Sequence, residues 1–161
     1  ENDKFTNYFE ADYLVDPTYS LSTSSSSINE GQSVRSNLTT TNVDSGTRLY
    51  WTLSGNGINA NDFSSGDIKG SRLVDSNGKI TFLHTLKNDQ TTEGTETLNI
   101  KLYKDWQRSQ QVGSTATVRI NDTSKAPVPT YGLTTSASRV NEGQWLTTTA
   151  NTTNVGRGTR L

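Results

Sequence analysis

The chain has 161 residues, a formal net charge of −1 and neither cysteine nor methionine. That length holds one ordinary domain with additions or two small ones; the balanced charge speaks against nucleic-acid binding, which needs a basic face, and the missing cysteines exclude disulfides and thiolate-held metals. Hydrophobic residues make up 29%, near the border of disorder, and no run approaches the roughly 18 apolar residues of a membrane span.

Residues 1–16, ENDKFTNYFEADYLVD, stand apart from the rest of the chain. Phe5, Tyr8, Phe9 and Tyr13 are dense for so polar a chain. Two readings stay open: the end of a preceding domain, or a segment that anchors the chain to another structural or surface protein. With no methionine at position 1, an interior or processed segment is expected. A cysteine-free composition suits an exported protein.

From Pro17 onward the apolar residues alternate with period two. Leu49, Trp51 and Leu53 alternate with Arg48, Tyr50 and Thr52; Ile80, Phe82, His84 and Leu86 with Thr81, Leu83 and Thr85. Leu98, Ile100 and Leu102, then Ala116, Val118 and Ile120, repeat the pattern. Such alternation marks strands with one buried face. Turn signals fall at Gly55-Asn56-Gly57, Ser76-Asn77-Gly78 and Gln111-Val112-Gly113. Seven or eight short strands in roughly 110 residues, with no helical period, predict an antiparallel, immunoglobulin-like β-sandwich.

The segment beginning PTYSLSTSSSSINEGQ at Pro17 recurs as PTYGLTTSASRVNEGQ at Pro129, an offset of 112 residues. The match runs without a gap to GTRL at both ends, with roughly 19 of 33 positions identical. Residues 17–124 therefore read as one complete repeat, 125–128 as a linker and 129–161 as the start of a second, truncated copy. Each repeat is a domain in its own right, so the partners expected first are other repeats of the same chain.

Acidic residues gather where strands end. NDQTTEGTE, residues 88–96, holds Asp89, Glu93 and Glu96 among turn and strand formers rather than helix formers. Glu30 lies in NEG, Asp62 in INANDF and Asp122 in INDTS. Two carboxylates about 6 Å apart at an effective dielectric near 20 repel by roughly 3 kcal/mol. A hard divalent cation, calcium above all, takes six to eight oxygens from such loops. The bland alternative is a set of solvated loop tips.

His84, the single histidine, shares parity with Ile80 and Phe82 and reads as structural. No second His, no Cys and no Ser-His-acid spacing supports nucleophilic catalysis; a glycosidase-type carboxylate pair stays open, since sequence cannot give its separation. Trp51 reads as core. Trp106 and Arg108 lie in the polar hairpin KDWQRSQQ, where an exposed indole could stack on a surface glycan or a protein, or fold back over the sandwich end. Trp145, beside the inward Leu146, is expected to face outward. The sequons at Asn37, Asn121 and Asn151 carry little weight in an Asn- and Thr-rich chain.

INEGQSV (28–34), GTRLYWTLSGNGINANDFSSG (46–66), NDQTTEGTETLNIKL (88–102) and TATVRINDTS (115–124) together resemble the Calx-β domain, the immunoglobulin-like sandwich of sodium–calcium exchangers, integrin β4 and many bacterial surface proteins. The resemblance covers most of 17–124. It implies calcium ligands at Glu30, at Asp62 before an aromatic, in the D-x-x-x-E-x-x-E stretch at Asp89, Glu93 and Glu96, and at Asp122. Where strong binders show consecutive aspartates, Asn121-Asp122-Thr123 offers one carboxylate, so a single site or two of modest affinity is expected. Such arrays imply a long, non-enzymatic structural or adhesive fibre on a bacterial or virion surface, extracellular and stiffened by calcium. The rivals are a glycan- or receptor-binding module using the Trp106 loop and a regulatory calcium sensor.

Overall fold

The computed structural model describes residues 15–160; Phe5, Tyr8, Phe9 and Tyr13 lie outside the described residues. Nine strands follow Asp16: β1 (Thr18–Thr23), β2 (Ser27–Asn29), β3 (Ser33–Thr41), β4 (Arg48–Ser54), β5 (Phe63–Ser65), β6 (Lys69–Leu73), β7 (Lys79–Leu86), β8 (Glu96–Tyr103) and β9 (Gln111–Asn121). A hairpin of β10 (Thr130–Thr135) and β11 (Thr148–Thr153) comes after them. A 3-10 turn at Ala60–Asp62 is the single helical element among the described residues.

The first nine strands form an immunoglobulin-like β-sandwich. One sheet runs β1-β3-β7-β5 and the other β2-β9-β8-β4-β6. Pairing is antiparallel except for β2 beside β9. The period-two pattern explains the layering: Val34, Leu38, Ile80, Phe82 and Leu86 of one sheet meet Leu49, Trp51, Leu53, Leu98, Ile100, Leu102, Val118 and Ile120 of the other. The turn expected at Gln111-Val112-Gly113 is part of β9 instead. Val112 is buried opposite Leu102, and the chain reverses earlier, where Lys104 N donates to Gln110 O at 3.0 Å.

Trp51 stacks on Phe82 with ring centroids 4.7 Å apart and planes within 8°. Its cross-strand neighbour is Gly70. A Cβ there would sit 2.2 Å from the indole, so the ring needs glycine on the edge strand. Arg72, on that strand's inward side, donates from Nη1 to Thr81 O of the opposite sheet at 2.6 Å. The inward charge ties the two layers together and leaves the edge a poor template for another strand.

The contacts divide the chain into two compact units, one holding Glu93–Thr123 with the described residues through Asn88, the other Asp89–Thr92 with Ser124–Leu161. In the second, β10 and β11 pair Thr130↔Thr153 through Thr135↔Thr148; in the first, β1 and β3 pair Thr18↔Thr41 through Thr23↔Ser36. The registers coincide residue for residue at the 112 offset. So do details: Asn42 and Asn154 both take positive φ and donate to Asp16 O and Val128 O, and Thr18–Thr41 recurs as the hydroxyl pair Thr130–Thr153. Tyr131 and Leu133, at the places of half-buried Tyr19 and Leu21, are 62% and 71% exposed.

His84 is 1% exposed and packs edge-on against Phe63 and Phe82. Its Nε2 meets Asp67 O at 2.9 Å, and its Nδ1 has no partner. With the proton on Nε2, a second proton would place an unanswered N–H among aromatic rings. Burial accordingly lowers the imidazole pKa below 6.5, against the smaller raising influence of Asp67. The unfolded chain then takes up a proton that the fold refuses, so stability falls as pH drops below 6.5. Denaturant unfolding from about pH 7 to about pH 5 is expected to show that loss in the wild type and a flatter profile in His84→Leu.

Candidate metal centre

The turn after β2 carries Glu30. Gly31 adopts φ 76°, Gln32 N donates to Asn29 O at 3.1 Å, and the Gln32 side chain accepts from Asn29 N at 2.8 Å. Parallel pairing of β2 with β9 sets this turn beside the end of β9, where Asn29 faces Asn121. The β7–β8 loop carries Asp89 and Glu93. Asp89 Oδ1 accepts from Thr91 N at 3.0 Å, an Asx turn, and Gln90 and Gly94 take φ of 61° and 84°. Glu30, Asp89 and Glu93 each offer a carboxylate oxygen, and these oxygens lie within 4.8 Å of one another. Two oxygens bound to one calcium at about 2.4 Å can stand at most about 4.8 Å apart, so the three fit a single coordination sphere.

The other predicted ligands surround this trio without joining it. Glu96 opens β8, and its carboxylate lies against Gly57, where a Cβ would come within 2.1 Å of Oε1. Desolvation raises its pKa, followed by the charges of Glu93, Asp62 and Glu30. Four carboxylates thus share one field, and a cation among them would relieve it. Asp62 is held by Asn59: its Oδ2 accepts from Asn59 N at 2.6 Å and Oδ1 from Nδ2 at 3.1 Å, a capping box on the 3-10 turn. Asp122 Oδ2 accepts from Gly94 N at 2.9 Å, while Oδ1 is buried without a hydrogen-bond partner. The donor set, three carboxylates within one coordination sphere, is of the oxygen type that a hard cation takes.

Two participants carried little or no signal in the sequence. Ser124 is 6% exposed, and its hydroxyl accepts from Gln90 N at 2.6 Å; a serine after a strand does not announce that role. Asn59 was legible in principle, because N-x-x-D is a capping pattern.

The aromatic candidates divide. Trp106 is 67% exposed. Its loop is braced by Asp105, whose carboxylate accepts from Ser109 N, Ser109 Oγ and Gln110 N. Those hydrogen bonds hold the Asp105 pKa down against the raising effect of desolvation. Arg108 donates to the carbonyls of Trp51, Trp106 and Gly70 and lies over the Tyr50 ring, which commits its guanidinium to the fold. Trp145 is 95% exposed.

No protein-family model and no curated protein matches the chain. Among solved structures it is similar to CBD12 from CALX1.2, with 18% identity and a TM-score of 0.45 over 65% of this chain. The match spans 44% of that chain, less than half its length.

The raised Glu96 pKa carries a sign. The folded state holds this proton more tightly than the unfolded chain, so the metal-free fold loses stability as pH rises through the carboxylate range. Glu96→Gln is expected to raise the unfolding midpoint in chelator at neutral pH and to shrink any gain on adding calcium. Paired thermal scans check both directions.

Proposed function

We propose that this chain is a segment of a tandem-repeat β-sandwich protein that acts as a non-enzymatic spacer or adhesive fibre outside the cell, on a bacterial or virion surface, and that calcium stiffens it. The observation that carries the reading is the recurrence of the β1–β3 register in β10–β11 at an offset of 112 residues. A hairpin repeated with its side-chain hydrogen bonds is what the opening strands of a second domain would build. Residues 17–124 are then a complete repeat and 129–161 the beginning of another.

Calcium is the cation that the acidic loops favour. Glu30, Asp89 and Glu93 would hold it, with Glu96 and the buried Oδ1 of Asp122 within the same loop system. Bound there, the ion would neutralise the mutual repulsion and tie the β7–β8 loop to the turn after β2. Asp122 already bonds Gly94 of that loop, and Ser124, at the start of the connection, bonds Gln90. An ion that orders the loop would therefore order the first residues of the connection as well. Extracellular calcium reaches millimolar levels, which fills sites with Kd on the order of 10⁻⁴ M.

Thermal unfolding of the whole chain tests this. At about tenfold excess over Kd, calcium contributes about 1.4 kcal/mol, or about 5 °C for a domain of this size. The rise is expected in the wild type and absent in Asp89→Ala. An equal response of both proteins, or none in either, would remove calcium from the reading and leave a plain spacer.

A further inference from the structure

The outward face of the five-stranded sheet brings basic and aromatic side chains together. Register places Lys69, Thr52 and Lys101 in one cross-strand row, and Ser71, Tyr50 and Tyr103 in the next. Arg48 follows beside Leu73, and Arg119 lies opposite Thr97. Alternation sends all of these outward, because Trp51, Leu53, Ile100 and Leu102 between them are buried. No Asp or Glu occupies an outward position on β4, β6, β8 or β9. The acids of the domain stand on its loops, apart from Glu96 on the inward parity of β8, so this face is cationic although the chain is nearly neutral. Lys69 and Lys101 are two strands apart, roughly 9.6 Å at the strand spacing of about 4.8 Å.

The face is also aromatic and preorganised. Tyr50 and Tyr103 are direct cross-strand neighbours, and Arg108 lies over Tyr50 from the hairpin side. That same hairpin, braced by Asp105, presents Trp106. Flat rings beside cations on a rigid, open sheet match a polymer of acidic sugars: pyranose faces stack on aromatic rings, while carboxylate or sulfate groups meet the ammonium groups. Four outward cations on a chain of net charge −1 make a weaker match to a nucleic acid, whose recognition calls for a basic domain.

We propose that the outer face of β4, β6 and β8, with Lys69, Lys101, Arg48, Tyr50, Tyr103 and Trp106, binds an acidic polysaccharide. This goes beyond the spacer reading and does not depend on the cation loops, which the sheet face does not share. It gives the repeat an adhesive surface along its side.

The experiment measures binding of the full chain to dextran sulfate, polygalacturonate, neutral dextran and duplex DNA at low and physiological salt. Lys69→Glu/Lys101→Glu alters the face, and Arg35→Glu/Lys79→Glu, outward on the opposite sheet, serves as control. Both pairs are surface changes, so unchanged unfolding midpoints confirm that each variant folds. Wild type and control are expected to bind at least one acidic polysaccharide and not neutral dextran; the stronger of the two identifies the anion. The face variant should lose at least about tenfold in affinity, because it removes two attractions and adds two repulsions. Trp106→Ala should weaken binding to sugar polymers while leaving any residual DNA binding unchanged. Absence of binding at physiological salt, equal loss in the control pair, or equally tight binding to DNA would overturn the assignment.

Discussion

A sandwich built from a chain with 29% hydrophobic residues closes only if nearly every inward position is apolar. That constraint governs the rest. Leu49, Leu98, Ile100, Leu102, Val34 and Val118 are all 1% exposed or less, although polar residues flank each of them. A one-residue slip of any strand would turn Thr, Ser, Asn and Lys inward and leave the leucines in water, so register is strongly specified despite the thin core. The aromatic centre adds a second lock. Trp51 stacks on Phe82, and its ring is admitted only by Gly70 on the neighbouring strand.

With the core fully committed, the polar residues fall into two electrostatic groups. Carboxylates collect where loops meet at the strand ends, and the strain is visible in Glu96, whose pKa is raised by burial and by three neighbouring acids. Cations collect on the outward face of the five-stranded sheet. Neither group reflects the net charge, which is close to zero. The alternation that builds the core also builds this separation, since each outward residue on β4 and β8 is fixed by its inward neighbour.

Hydrogen bonds make the acidic loops an organised surface. Asp62 is consumed by the 3-10 turn, Asp89 shapes its own turn, and Asp122 caps the loop at Gly94. Three carboxylates of the six expected come within one coordination sphere, while the others act through backbone geometry or charge. The Trp106 hairpin follows the same logic. Asp105 closes the loop and Arg108 fastens it to the sheet, so the exposed indole stands on a braced support.

The period-two pattern alone determined the sandwich, its inward residues and the structural place of His84, because burial in a sheet is a local alternation. The sequence similarity at the 112-residue offset was equally legible, and β10–β11 takes the register of β1–β3 although Leu38 is replaced by Ala150 and Asn37 by Thr149. The turn expected at the start of β9 is strand, because Val112 needs a partner across the sheet, Leu102, to show its place. Which acids converge and that Ser124 takes Gln90 were decided by tertiary structure. Those partners lie on different strands and loops, and the distances between them arise only when the two sheets close over the core.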